Sequence, residues 1–195
     1  MKPDETSFFS EAELSALDFK AIGKSVRISR KASFYNLGHI EIGDNSRIDD
    51  FCVISAGEGG VYIGRNVHIA VYTSLIGQER IVIEDYANIS SRVSVYSSND
   101  DYSGNYLTNP TVDAKYTNVT NAPVHVGRHV IVGSGSIILP GVSLADGACI
   151  GALSLVNKSC GPFSINGGIP VHFIRERSRG LEEKYAQMVQ DGPHS

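Results

Sequence analysis

VGRHVI VGSGSI ILPGVS LADGAC IGALSL VNKSC, residues 126–160, runs in sixes without a slip. An aliphatic residue opens each unit: Val126, Val132, Ile138, Leu144, Ile150 and Val156. The next place is usually small or turn-forming, as in Gly127, Gly133, Ala145, Gly151 and Asn157, with Leu139 the departure. Four places after the aliphatic residue stand Val130, Ser136, Val142, Ala148, Ser154 and Cys160, all small or β-branched. A period of six matches neither the 3.6 of an amphipathic helix nor the 2 of a half-buried strand. It requires one short strand and one turn per unit, with small residues where the backbone turns and where the corner is crowded.

The same grammar continues upstream in the pairs Ile22 and Ile28, Ile42 and Ile48, Ile63 and Ile69, and Ile83 and Ile89. Successive pairs lie 20 or 21 residues apart, which is three units plus two or three extra residues, such as those in Gly57-Glu58-Gly59-Gly60. Three units per coil make a triangular prism of parallel strands, with the extra residues bulging at one corner and both ends needing caps. The 20 glycines, free of any low-complexity tract, fit regularly spaced turns. Parallel crossovers are right-handed in nearly all proteins, so spacing alone would favour a right-handed coil.

Three segments leave the count. Residues 8–19 carry Ser10 with Glu13, a capping-box pair, and predict a short N-terminal helix. Residues 97–122 have no six-residue phase, and a long structureless insertion in a compact domain is usually functional. Leu181, Tyr185 and Met188 share a face and predict a C-terminal helix over 178–190. The whole of 1–195 reads as one domain, with the coil over 22–174.

Composition narrows the partners. The 195 residues are 42% hydrophobic with a formal net charge of −4, and the pI near 5.8 offers no bulk attraction to nucleic acid or anionic lipid. No apolar run reaches the length of a membrane span. The opening Met1-Lys2-Pro3-Asp4-Glu5 is polar and acidic, unlike a secretory signal, so a cytoplasmic protein is expected. Cys52, Cys149 and Cys160 lack metal or redox spacing and read as small buried fillers.

With these residues in view, the chain resembles the hexapeptide-repeat acyltransferases. Pro123-Val124-His125-Val126-Gly127-Arg128-His129-Val130-Ile131-Val132-Gly133-Ser134 and Leu139-Pro140-Gly141-Val142 are similar to the galactoside and maltose acetyltransferase branch. Ser98-Asn99-Asp100-Asp101-Tyr102-Ser103-Gly104 and Leu107-Thr108-Asn109-Pro110 are similar to acetyltransferases of bacterial surface-polysaccharide (O-antigen) synthesis. The resemblance spans about Ile22 to Arg177. It implies an all-β, left-handed parallel β-helix, a homotrimer, and acetyl-CoA as co-substrate with no metal. The acceptor it implies first is a sugar hydroxyl; the alternative is N-acetyl transfer to a nucleotide-linked amino sugar. It also implies a donor groove between subunits near the C-terminal coils. There Gly133, Ser134, Gly151 and Ala152 would admit the pantetheine arm, and Asn157 and Lys158 would stand where the family has a Thr-Lys pair. Arg175 and Arg177 would meet phosphate.

In one respect the chain departs from that branch, whose catalytic histidine lies in the long insertion: residues 97–122 contain none. A base is still sought among the six histidines. His68 precedes inward-facing Ile69 and should point outward, with Asn88 stacked above it before Ile89. The expected assignment is His68 as base, Asn88 beside it, and Asp100 or Asp101 orienting it or acting on substrate. His125 and His129 are the alternative bases, while His39 lies in the early coils away from the expected donor, His172 near the C-terminal helix and His194 in the tail. Two other classes share the repeat: zinc enzymes of the carbonic anhydrase kind, for which His125 and His129 could supply two of three ligands, and non-catalytic trimeric scaffolds.

Overall fold

The computed structural model describes residues 7–192, so Met1–Glu5 and His194 lie outside the described residues. The chain winds as a left-handed parallel β-helix. Its strands fall into three sheets of six, eight and six strands, one per prism face. Neighbours within each face are successive coils. On the second face Ile28, Ile48, Ile69, Ile89, Val132 and Ile150 lie in one register, each at most 1% exposed. The first face carries Ile42, Ile63, Ile83, Val126 and Leu144 inward, and the third Ile54, Leu75, Val95, Ile138 and Val156. All six residues that opened the sixes over 126–160 are therefore core.

The corners are set by backbone. At the first corner, between the first and second faces, Asn45, Asn66, Tyr86 and His129 hold left-handed φ near 60°, and Gly147 follows them. Each donates its N–H to the coil beneath: Asn66 to Asp44, Tyr86 to Arg65, His129 to Asp85 and Gly147 to Arg128. Carboxylates complete this column, since Asp44, Asp85 and Asp146 accept from the amides of Lys24, Arg65 and Arg128 at 2.7–2.8 Å. The extra residues gather at the third corner, between the third and first faces, after the strands Val53–Ala56 and Ser74–Gly77. Gly77 lies at φ 152° there, and a side chain on it would strike Ser97, whose Oγ and N lie 2.1 and 2.7 Å away.

The long insertion leaves from this third corner, after Ser94–Tyr96. It is not structureless. Ser98–Asn99 and Thr120–Asn121 pair antiparallel at its neck, and Ala114–Tyr116 forms a 3₁₀ turn.

Both ends are capped. Helix α1, Glu11–Ser15, is shorter than the predicted 8–19 but has the full capping box, with Ser10 and Glu13 reciprocally bonded. Its Leu14 is buried against the first coil. At the other end the last coil passes into an antiparallel ribbon, Ser164–Gly167 with His172–Glu176, and then α2, Gly180–Asp191. Among the described residues no helix is long and apolar enough to cross a membrane. Cys52 and Cys160 are buried fillers as expected, and burial pushes the Cys52 thiol up to about 11. Cys149 differs: it faces outward, half-buried, because it alternates with inward Ile150.

Tyr185 docks α2 onto the first corner. The His129 ring stacks on Tyr86 at 5.1 Å and meets the Tyr185 ring edge-on at 5.0 Å. Met188, expected on the docking face, is left exposed. Burial, with Arg128 and Arg177 close by, holds the His129 pKa below its ordinary value against the opposing pull of Asp146 and Asp85. With the folded pKa lowered, the unfolded chain takes up this proton first, so stability falls as pH drops through the ordinary value of ~6.5. Thermal unfolding of wild type should therefore move to lower temperature between about pH 7.5 and 5.5. In His129→Asn, which keeps a residue suited to left-handed backbone, the same pH step should cost less. Equal pH slopes in the two proteins would remove His129 as the source.

Candidate functional site

A column of outward side chains runs up the second face in register: Arg27, Arg47, His68, Asn88. His68 and Asn88 stack as the alternation predicts, with His68 Nδ1 3.2 Å from Asn88 Oδ1. The acid that holds His68 is Asp49, whose Oδ2 lies 2.8 Å from Nε2. Asp49 is held in turn by Arg47 Nε at 2.6 Å from Oδ1. Asp100 and Asp101 do not orient His68 within the chain, because the insertion leaves from the third corner and His68 is on the second face. Asp101 instead staples its own loop, accepting from Ser103 N at 2.8 Å and Oγ at 2.6 Å and from Asn118 Nδ2 at 3.1 Å. The Ser103 and Asn118 bonds keep its pKa below the carboxylate norm. Asp100 lines a cavity of about 690 Å³ between the insertion and the coil, with Ile76, Gln78 and Asn121.

This geometry alters what His68 can do. A general base needs a free lone pair toward its substrate. Here one ring nitrogen faces a carboxylate and the other faces the Asn88 amide, whichever way that amide is turned. To act as a base His68 would have to exchange its Asn88 contact for the acceptor, with Asp49 holding the other nitrogen. The other histidines are engaged differently. His125 Nε2 lies 3.4 Å from Glu84 on the first face. His129 is half-buried, its ring stacked on Tyr86 and edge-on to Tyr185. Among the described residues no group of three His, Cys, Asp or Glu side chains is gathered closely enough for a metal ion.

The residues expected to meet the donor lie at the second corner, between the second and third faces, and beyond it. Ser134 faces Ser91 from the coil beneath, Oγ to Oγ at 3.3 Å. Ala152 follows on the next coil, where Leu153 donates its N–H to Ser134 O. The two glycines differ in kind. A side chain on Gly133 would lie 2.4 Å from Ala152 N, so coil stacking alone demands glycine. At Gly151 a side chain would meet Asn166 O at 3.5 Å, an ordinary contact, so the coil does not by itself demand glycine there. Asn157 and Lys158 are exposed, and Lys158 borders a groove of about 660 Å³ shared with Ser159, Phe173, Glu176 and Arg179. Arg175 is exposed on the C-terminal ribbon. Arg177 is spoken for, its Nη1 donating to His129 O at 3.0 Å and Gly147 O at 2.8 Å. It clamps the first corner, and Arg179 is the arginine that reaches the Lys158 groove.

Sequence reasoning missed Asp49, Ser91 and Arg179. A signal existed for Ser91: it stands two places after inward Ile89, as Ser134 does after Val132 and Ala152 after Ile150. Asp49 carried no comparable mark, since its pairing with His68 spans 19 residues and depends on side-chain rotamers.

No family model matches the chain. It is 55% identical over 177 residues to the dTDP-4-amino-4,6-dideoxy-D-glucose acyltransferase of Escherichia coli, a match covering 91% of this chain and 92% of that one. Among solved structures it superposes on AntD, an N-acyltransferase from Bacillus cereus in complex with dTDP and coenzyme A. The TM-score is 0.91 with 45% identity, across 95% of this chain and 99% of AntD. A galactoside acetyltransferase in complex with coenzyme A shares the fold at a TM-score of 0.60 with 19% identity, over 93% of this chain and 76% of that one. A coil counted in sixes and a relative matching at more than half of its positions over nearly the full length lead to one conclusion: the chain belongs to the hexapeptide-repeat acyltransferases and is itself an acyltransferase.

Proposed function

We propose that this enzyme transfers an acyl group from acyl-coenzyme A to the amine of a dTDP-linked 4-amino-4,6-dideoxyhexose. The observation that carries this reading is the identity with the Escherichia coli enzyme of that substrate, in a match too long to leave out the insertion. AntD, solved with dTDP-4-amino-4,6-dideoxyglucose and coenzyme A, supports the same acceptor at 44% identity. The sugar hydroxyl implied by the first resemblance gives way to its alternative, the amine.

The chemistry agrees with what the insertion lacks. A hydroxyl attacking a thioester needs a base to take its proton as the bond forms. A neutral amine is nucleophilic enough to attack unaided: the C–N bond forms, the C–S bond breaks, and the departing thiolate can accept the proton that nitrogen sheds. An amine acceptor therefore tolerates an insertion without histidine and a His68 already bonded on both sides. We place His68, Asn88 and Asp49 as a positioning framework, and the donor along Ser134, Gly151 and Ala152 with its phosphates toward Lys158, Arg175 and Arg179. The site would be completed between subunits of a closed three-fold assembly, so light scattering should give three times the 21.0 kDa chain mass.

Thiol release measures the reaction directly. Acetyl-CoA is the donor the family resemblance implies, while AntD was also solved with 3-hydroxybutyryl-CoA, so both belong in the assay. Release should depend on the dTDP-linked amino sugar and be absent with a sugar bearing only hydroxyls; release with the hydroxyl sugar alone would reverse the assignment. Lys158→Glu should raise the acyl-CoA KM by roughly tenfold, the scale of one lost charge-assisted hydrogen bond, and leave the acceptor KM in place. His68→Ala should lower turnover far less than the ~10²–10⁴-fold expected of a lost general base, and a loss on that larger scale would reinstate His68 in the role. Gly133→Ala should destabilise the fold by ~1–3 kcal/mol through overpacking. Gly151→Ala should melt like wild type yet bind coenzyme A more weakly, and unchanged coenzyme A affinity there would move the pantetheine path elsewhere.

A further inference from the structure

Helix α2 is anchored at two points on the first corner. Upward from Tyr86 that corner continues through His129 and Gly147 to Phe163, each donating its N–H to the coil beneath. Phe163 closes the column at φ 46°. Arg179, the N-cap of α2, lies over the Phe163 ring at 4.2 Å. Tyr185 meets the Tyr86 and His129 rings edge-on at 5.1 and 5.0 Å, and its hydroxyl accepts from Arg128 Nη2 at 3.3 Å. Arg179 and Tyr185 are six places apart, about 9 Å along a helix axis. Phe163 and His129 are two coils apart, about 10 Å. The helix therefore spans the two contacts without slack.

Little else holds it. The helix contributes no buried residue to the core, and Leu181 and Tyr185, four places apart on one face, are its half-buried ones. What it holds in place is charge. Three charged side chains border the Lys158 groove: Lys158, Glu176 and Arg179. Their sum is one positive charge with Arg179 present and zero without it. The carboxylate beside Arg179 is Glu182 of α2 itself, at 3.5 Å in an exposed pair, and such a pair fixes little on its own. The Phe163 ring alone is also too weak a hold for so long a side chain, because one exposed cation–π contact barely offsets the rotamer freedom it costs. The direction of Arg179 is therefore set by where α2 lies.

We propose that Tyr185 is a positioning residue for the donor: docked on the first corner, it holds α2 so that Arg179 stays in the Lys158 groove and meets the phosphates of acyl-coenzyme A. The inference rests on the donor placement proposed above. With Arg179 in the groove a phosphate meets two cations, and the Glu176 carboxylate is outweighed. With α2 undocked, Lys158 and Glu176 cancel and the groove loses its preference for an anion. The aromatic contact at the first corner thus tunes donor affinity from the opposite end of the helix, without touching donor or acceptor.

The experiment is thiol-release kinetics on the full chain, comparing wild type, Arg179→Gln, Tyr185→Ala, Tyr185→Phe, the double variant Arg179→Gln/Tyr185→Ala, and Lys158→Glu. Arg179 is exposed and α2 buries nothing, so these proteins should melt cooperatively, which is checked first. Arg179→Gln and Tyr185→Ala should each raise the acyl-CoA KM by about fivefold to tenfold, with kcat and the acceptor KM within twofold of wild type. Tyr185→Phe keeps the ring and should restore the wild-type KM. The double variant should be no worse than Arg179→Gln alone, because both changes remove the same contact. If Tyr185→Ala leaves the acyl-CoA KM within twofold, or if the two effects multiply in the double variant, Tyr185 does not act through Arg179. If Lys158→Glu raises the acyl-CoA KM and Arg179→Gln does not, the inference is overturned while the donor placement stands. If neither raises it, the donor placement falls and the inference with it.

Discussion

Coil-to-coil register is the constraint on which everything else rests. Each strand donates its N–H groups to the coil next to it, and each inward aliphatic residue sits directly on its counterpart, as Ile48, Ile69 and Ile89 do. A slip of one residue would turn a whole column of isoleucine and valine outward and a column of polar residues inward. The register cannot drift, so what lies outward is also ordered into columns. Side chains about twenty residues apart in sequence become neighbours about one strand spacing apart in space, and this is how a chain made mostly of turns builds precise polar contacts.

The columns divide the labour. Along the first corner the residues are occupied with structure: carboxylates accept corner amides, Arg177 clamps two carbonyls, and His129 wedges Tyr185 of α2 onto Tyr86. The second face carries a bonded polar chain, Arg47–Asp49–His68–Asn88, rigid because every member is held twice or more along it or ends it. The second corner differs: there the Ser91 and Ser134 hydroxyls meet only each other, Gly151 can take a side chain without a clash, and Phe51 and Tyr72 are about half exposed. Binding needs unsatisfied groups held by satisfied ones. Here the solvent-facing groups lie on one edge and their supports on the neighbouring surfaces.

The insertion follows the same logic. It leaves from the corner that already absorbs two or three extra residues per coil, which is the place where added chain does not disturb the register. It closes its neck with a short antiparallel pair, so the coil resumes at Val124 in phase with Ile81.

The sequence by itself determined the three-faced coil but not its left hand, because a period of six encodes strand, turn and inward face locally, residue by residue, and carries no chirality. Val126, Val132, Ile138, Leu144, Ile150 and Val156 could be assigned to the core without coordinates, and the outward stacking of His68 on Asn88 followed from alternation alone. The capping box at Ser10 was equally local. What period cannot carry is the choice among partners that the stacking brings together. Asp49 rather than Asp100 or Asp101 meets His68 because the insertion departs from a different corner of the prism. Arg177 is consumed by His129 and Gly147 carbonyls, and Arg179 takes its place beside Lys158, because the C-terminal ribbon sets their directions. Gly133 and Gly151 read alike in the repeat, yet only the first is pressed by a neighbouring coil. Those distinctions depend on distances between residues far apart in the chain, and only the folded prism brings such residues together.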